Sequence, residues 1–313
     1  RVEHLLDCTC QVLAPLLADA TKGFTGMLLT DSVRLGDVLY VLHVSVPTAL
    51  VTKKTLNHTF YRMFNPSGRL NQLPKKKFVG GRFLPVEGLR YSNKGNVYKA
   101  VDLRTFNWCV IKQGNAHAVD DIHGRDMRDR LLWQRHLMEM LQDDIPMPRI
   151  IRYAEYPAFN FLAMEYVEGA TLEKNIENLL DGKQWKGIEG KNRTQMLRYY
   201  LGVLDIIGQL HDHGIIHRDI TPANFIVRAD AGLVVIDFEM AYSMFQLLPD
   251  PPFVTGTIGY VSPEQVRCEL PSPSHDVYSL GALFLHMVTG LPPKNFKGKN
   301  SPAEIAEVLM EQD

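Results

Sequence analysis

The sequence predicts an α+β chain of two lobes, a β-rich lobe followed by a helical lobe, behind a small α/β amino-terminal extension. Three observations predict it. Short β-branched and aromatic runs fill residues 83–167, one long helical periodicity interrupts them, and helical spacing dominates 168–313.

The 313 residues suffice for two domains, or for one two-lobed domain with an extension. At 45% hydrophobic and 22% charged residues the chain can bury a full core. A formal net charge of −1 implies no global pull toward nucleic acid or membrane. Four cysteines, Cys8, Cys10, Cys109 and Cys268, are too sparse for a disulfide framework and read as reduced thiols. The longest apolar run, 38–51, holds His43 and Pro47 and is too short to span a bilayer. The start RVEHLLDC has no signal-peptide layout and no initiator methionine. The expectation is a cytoplasmic chain that is part of a longer one.

Residues 1–60 predict an amphipathic helix (Leu5, Val12, Leu13, Leu16, Leu17) and a strand over VLYVLHVSV. Residues 61–82, rich in turn formers and lysine, read as a linker. Lys75, Lys76 and Lys77 have no interleaved aromatics, so they suit a solvated loop, not a nucleic-acid patch. From 83 the strands RFLPVEGLRYS, GNVYKAVDL and NWCVIKQ precede a helix in DMRDRLLWQRHLMEMLQ, and FNFLAMEYVEG follows as a strand ending in a turn. Residues 168–313 begin the helical lobe. A polar loop is expected over 181–193, then a helix with Leu197, Leu201, Leu204, Ile207 and His211 on one face and Gly214 at its end. A ligand cleft is expected where the β-rich and helical parts meet.

The chemistry concentrates in IIHRDITPANFIVRADAGLVVIDFEMA, residues 215–241. Asp219 and Asn224 lie five apart between the helix ending at Gly214 and the strand FIV, and Asp237 ends the strand VVI. If those strands pair, the hairpin brings three oxygen-bearing side chains to one rim. Asn224 and Asp237 then suit a hard cation such as magnesium, and Asp219 is left to orient a hydroxyl. Either short motif alone is an ordinary turn; the two in this order are not.

These residues resemble the catalytic and metal loops of the protein kinase superfamily. The resemblance runs over about 82–290 and implies a bilobal protein-kinase-like fold, ATP or GTP, and Mg2+. NVYKA followed by VIK resembles the glycine-rich strand and nucleotide-binding lysine, which implies Lys112 on the phosphates and Gly95, Val97 and Val110 around the nucleotide. MEYVEG resembles the hinge, with Met164 as gatekeeper and the backbones of Glu165 and Val167 toward the base. GTIGYVSPE resembles the end of an activation segment, with Thr257 and Glu264 in its threonine and glutamate positions. DVYSLG resembles the buried helix whose aspartate, Asp276, braces the loop carrying His217, Arg218 and Asp219.

The departures are specific. Only Gly95 survives of the glycine-rich motif, where Arg90 and Ser92 replace the other two. Gln134 aligns with the glutamate that pairs with the lysine; Glu139 faces elsewhere on the helix. Thr221 stands in place of a lysine, and Glu239 in place of a glycine, where it should restrict the loop's motion. A phosphate on Thr255 or Thr257 would suit Arg218, but a structural threonine at 257 is the reading taken.

Together, YSNKGNVYKAVDLRT, HGRDMRDRLL and HRDITPANF resemble the kinase domain of class III and class IV lanthipeptide synthetases. That resemblance implies phosphorylation of Ser/Thr in a ribosomal precursor peptide carrying a leader. A lyase domain precedes the kinase in that family, and a cyclase domain lies further along the same polypeptide. Residues 1–60 fit only part of such a lyase: His43 is on an apolar strand, Val41 replaces a needed lysine, and Lys53, Lys54 and His58 have no assignable role. The helical lobe reads as abbreviated after 276–290. The other readings are a free-standing regulatory Ser/Thr kinase and a peptide-binding pseudokinase scaffold.

Overall fold

A computed structural model describes residues 26–35, 38–47, 78–183, 185–254 and 256–296. The expected helix of the first 25 residues, most of the expected linker, Lys53, Lys54, His58 and Thr255 lie outside them. The chain divides into two compact units, residues 1–87 with 99–109, and residues 88–98 with 110–313.

In the first unit, β1 (Gly26–Leu35) pairs antiparallel with β2 (Val38–Pro47), Thr30 opposite His43. The sequence reading found only the second of these strands. Gly80 and Gly81 turn the chain so that Val79 bridges Phe83, and Phe83, Ala100, Val101 and Cys109 are buried. Asp102, also buried, accepts hydrogen bonds from Arg82, the Arg104 N–H and Thr105 Oγ1.

Five strands hydrogen-bond in the order β3 (Phe83–Arg90), β4 (Val97–Asp102), β5 (Trp108–Asn115), β7 (Phe159–Glu165), β6 (Ile150–Glu155). The strand β6 was not read from the sequence. In β5 the alternation buries Cys109 and Ile111, and Lys112 is buried beside them.

Helix α1 (Met127–Leu141) starts at a capping box. Asp126 accepts from the Arg128 N–H and the Asp129 carboxylate accepts from the Asp126 N–H, each at 2.7 Å. Its buried row, Leu131, Gln134, Met138 and Leu141, carries a polar residue at 0% exposure, which demands a partner. Short α2 (Leu172–Leu180), absent from the sequence reading, follows β8 (Ala170–Thr171).

Helix α3 runs over Gly190–Asp212, so the polar loop before it ends four residues earlier than expected. It ends at Gly214 in the left-handed region (φ 69°), as the sequence implied. The expected face needs correction. Met196, Tyr199, Val203, Ile206, Ile207 and Leu210 are buried, whereas Leu197, Leu201 and Leu204 are exposed. The helix is apolar around a wide arc, and at Gly202 it approaches Leu233 so closely that a Cβ would meet that side chain at 2.8 Å.

Two small sheets hold the loops that follow. β10 (Phe225–Val227) pairs with β11 (Leu233–Val235) and with β8, and β9 (Ile215–Ile216) pairs with β12 (Tyr242–Ser243). Short α4 (Pro263–Val266) precedes α5 (Pro273–Thr289), whose buried face includes His275, Asp276, Ser279 and Leu283. The mixed α+β content agrees with the expected protein-kinase-like class. Cys109 and Cys268 are free thiols. Among the described residues no helix is long and apolar enough to cross a membrane.

Candidate active site

The β10–β11 hairpin sets Phe225 opposite Val235, so Asn224 and Asp237 leave its two open ends together, and the Ile236 N–H donates to Asn224 O at 3.0 Å. A 3-10 turn over Pro222–Asn224 begins after buried Thr221, whose carbonyl accepts from the Asn224 N–H. Asn224 Nδ2 donates to Asp219 O at 2.8 Å and to Asp219 Oδ2 at 3.1 Å. With its amide nitrogen so committed, Asn224 presents Oδ1, the atom a hard cation takes.

Asp276 is the anchor of this loop. At 0% exposure it accepts from the His217 N–H (Oδ2, 2.8 Å), the Arg218 N–H (Oδ1, 2.8 Å) and His211 Nε2 (Oδ2, 2.9 Å). Its two backbone contacts hold Arg218 at φ 65°, a conformation a side-chain-bearing residue adopts only when surroundings enforce it. His217 Nδ1 faces the Asp219 N–H at 3.3 Å, and its ring packs on Phe225 and Phe238. Arg218 Nη1 donates to Met240 O; burial pulls its pKa down to about 10, against the attraction of Asp276. Thr257 completes the loop from further along the chain: its Oγ1 and N–H both donate to Asp219 Oδ1, at 2.7 and 3.1 Å.

Lys112 is the buried cation of the site. Its Nζ donates to Gln134 Oε1 and to Asp237 Oδ1, each at 2.7 Å, and lies 2.9 Å from Glu239 Oε2. Burial alone would lower the lysine's pKa, but the charges of Asp237 and Glu239 outweigh it and hold the pKa above its ordinary value. The Glu239 N–H donates to Asp237 Oδ1 at 3.1 Å, a backbone contact that a glycine would also make. Two carboxylates, of Asp237 and Glu239, thus meet the one ammonium of Lys112, and the Asp237 carboxylate is of the oxygen-donor type a divalent cation takes.

Gly95 has φ 146°, and a Cβ there would run into the Gln113 carbonyl, so this surviving glycine of the loop cannot carry a side chain. Val97 and Val110 stand on β4 and β5. Met164 is buried at the end of β7, its sulfur near Gln134 Nε2, and the Glu165 N–H donates to Arg149 O. No described contact bears on Val167. Glu264 is not brought to these groups; it sits half-exposed on α4, 3.5 Å from Arg267.

Sequence reasoning missed one element. Phe253, just before the GTIGYVSPE stretch, lies under the guanidinium groups of both Arg125 and Arg130, at 4.5 and 5.2 Å from the ring centre. Arg125 also donates to Pro251 O, and Arg130 to Val254 O. HGRDMRDR carried the arginines in plain sight, but nothing local marks Phe253 as their partner.

The family model of the protein kinase domain matches residues 92–312. Serine/threonine-protein kinase PknB of Mycolicibacterium smegmatis is 33% identical over 156 residues, 49% of this chain and 23% of that protein. PknB of Mycobacterium tuberculosis is 32% identical over 166 residues, 51% of this chain and 24% of that protein. The "Probable serine/threonine-protein kinase pknA2" of Bifidobacterium longum is 25% identical over 223 residues, 69% of this chain and 28% of that protein. The matched stretches thus span only about a quarter of these relatives' lengths.

Proposed function

The chain belongs to the protein kinase family, and from that premise we propose that it transfers the terminal phosphoryl group of ATP or GTP to serine and threonine hydroxyls of a peptide. The carrying observation is the set of contacts that pins Asp219 between Asn224 and Thr257 while Lys112 is joined to Asp237. Thr257 occupies Asp219 Oδ1 twice, and Asn224 donates once to Oδ2. A carboxylate oxygen has two acceptor sites, so Oδ2 keeps one open to take the hydroxyl's proton. Asn224 Oδ1 and the Asp237 carboxylate would hold Mg2+. Magnesium, when bound, supplies charge neutralisation on the transferring group. Lys112 orients the phosphates, Gly95 lets backbone approach them, and Val97, Val110, Met164, Glu165 and Val167 form the nucleotide's surroundings. His217, Arg218, Gln134 and Asp276 support these groups.

The finer reading is a kinase of a lanthipeptide synthetase acting on a ribosomal precursor peptide, with lyase and cyclase chemistry elsewhere in the polypeptide. It rests on YSNKGNVYKAVDLRT, HGRDMRDRLL and the Thr221-containing HRDITPANF. The names of the relatives favour a second reading, a free-standing regulatory Ser/Thr protein kinase. Incubation with nucleotide, magnesium and either a leader-bearing precursor or a general kinase substrate separates them. Phosphoryl additions confined to the precursor, and lost when its leader is cut away, support the synthetase. Transfer to the general substrate alone sinks it, and transfer to neither sinks both.

A further inference from the structure

A buried ammonium needs a formal counter-charge, and the source of that charge at Lys112 is unusual. Helix α1 offers Gln134, a neutral amide at 0% exposure. Its orientation is settled: Nε2 faces the sulfurs of Met138 and Met164 at 3.7 and 4.0 Å, and Oε1 accepts from Lys112. To Lys112 the helix therefore brings a hydrogen bond and no carboxylate, while its buried Arg130 lies in the field of Glu239. Asp237 brings one charge, but in the reading above it also serves a cation.

The second carboxylate comes from two residues further along the same loop. Glu239 is 12% exposed in its side chain, and its Oε2 lies 2.9 Å from Lys112 Nζ. Its N–H donates to the same Asp237 oxygen that accepts from Lys112. The contacts close a ring: lysine to Asp237, Asp237 to the Glu239 backbone, Glu239 carboxylate back to the lysine.

We propose that Glu239 is a positioning residue that supplies the counter-charge of Lys112 from the metal loop, in place of helix α1. The nucleotide-facing lysine and the cation-facing aspartate are then set by one three-residue stretch. Their registration does not depend on a carboxylate carried by the helix. The glycine-to-glutamate and glutamate-to-glutamine departures become one relocation of charge. The inference rests on reading this as a nucleotide site.

The test is a charge-relocation cycle of wild type, E239Q, Q134E and the double variant Q134E/E239Q. Melting without nucleotide or magnesium, nucleotide affinity, and kcat and KM for nucleotide are measured on each. E239Q should lower the melting temperature and weaken nucleotide binding by about tenfold, the scale of one charge-assisted bond. Nucleotide KM should move more than kcat. Moving the charge back to the helix in the double variant should restore melting and affinity to within about threefold of wild type. Additive losses in the double variant overturn the proposal. So does an E239Q defect seen only as a raised magnesium requirement and not rescued by Q134E, which would make Glu239 a metal ligand. Because melting is read without ligand, a wild type that fails to transfer phosphate sinks the kinase reading separately from this one.

Discussion

Thr257 holds Asp219 with two hydrogen bonds to one carboxylate oxygen, Oγ1 at 2.7 Å and N–H at 3.1 Å. The pair joins residues 38 apart in sequence, tying the loop around Asp219 to the GTIGYVSPE stretch. Valine keeps the shape of threonine and loses the hydroxyl. T257V should lower kcat by roughly ten- to a hundredfold, the scale of one hydrogen bond to a charged group. Nucleotide KM should stay near wild type and T257S should retain most activity. Steady-state kinetics check this; an unchanged kcat in T257V would remove the threonine from the mechanism.

Asp276 accepts from two backbone N–H groups and one imidazole with no exposure to solvent. An asparagine can orient its single oxygen toward only one side. D276N should therefore destabilise the protein by about 3 kcal/mol, the cost of leaving buried donors unpaired. Chemical denaturation measures it, and a loss of activity at temperatures where the variant remains folded would show that the catalytic loop itself has shifted.

Gly95 adopts φ 146° against the Gln113 carbonyl. G95A forces both a backbone change and a steric displacement. It should weaken nucleotide binding by at least about tenfold while changing stability by only about 1–2 kcal/mol. Fluorescent-nucleotide titration checks the first and denaturant melts the second. Affinity at the wild-type level would show that this loop does not cover the phosphates.

Burial holds the His286 imidazole below its usual pKa, opposed only partly by Glu177. Its Nδ1 lies 2.6 Å from the Tyr260 hydroxyl, which suits a neutral ring accepting that proton. The unfolded chain takes up a proton near pH ~6.5, whereas the folded chain does so only at lower pH. The contribution of His286 to stability is therefore full above about pH 6.5 and is lost as pH falls through the lowered folded value. Melting temperature should drop from about pH 7 to about pH 5, and H286Q should flatten part of that slope. His213 has the opposite sign: the Gln209 carbonyl and Asp144 raise its pKa, so its small, exposed contribution fades as pH rises.

The order of motifs made the site legible, because its residues sit at fixed spacings on loops set by short strands. Asp219, Asn224 and Asp237 stand out by their spacing, Lys112 by the resemblance of its strand to that of the kinase nucleotide-binding lysine, and the pairing of β10 with β11 is the one the sequence required. What escaped was decided by packing over long separations. The buried face of α3 packs through distant contacts such as Gly202 against Leu233, and Phe253 finds Arg125 more than a hundred residues away. The strand β6 and helix α2 were too short and too mixed in pattern to stand out. Glu239 was visible as an oddity, but its carboxylate's target needed the fold.

The most direct test compares wild type with D219N for transfer of labelled terminal phosphate to a serine- or threonine-bearing peptide, with nucleotide affinity measured in parallel. Wild type should phosphorylate the peptide. D219N should bind nucleotide within about threefold of wild type while losing roughly a hundredfold or more in turnover, as removal of a general base predicts. Equal turnover in the two proteins, or no transfer by wild type that binds nucleotide and magnesium, would contradict the account.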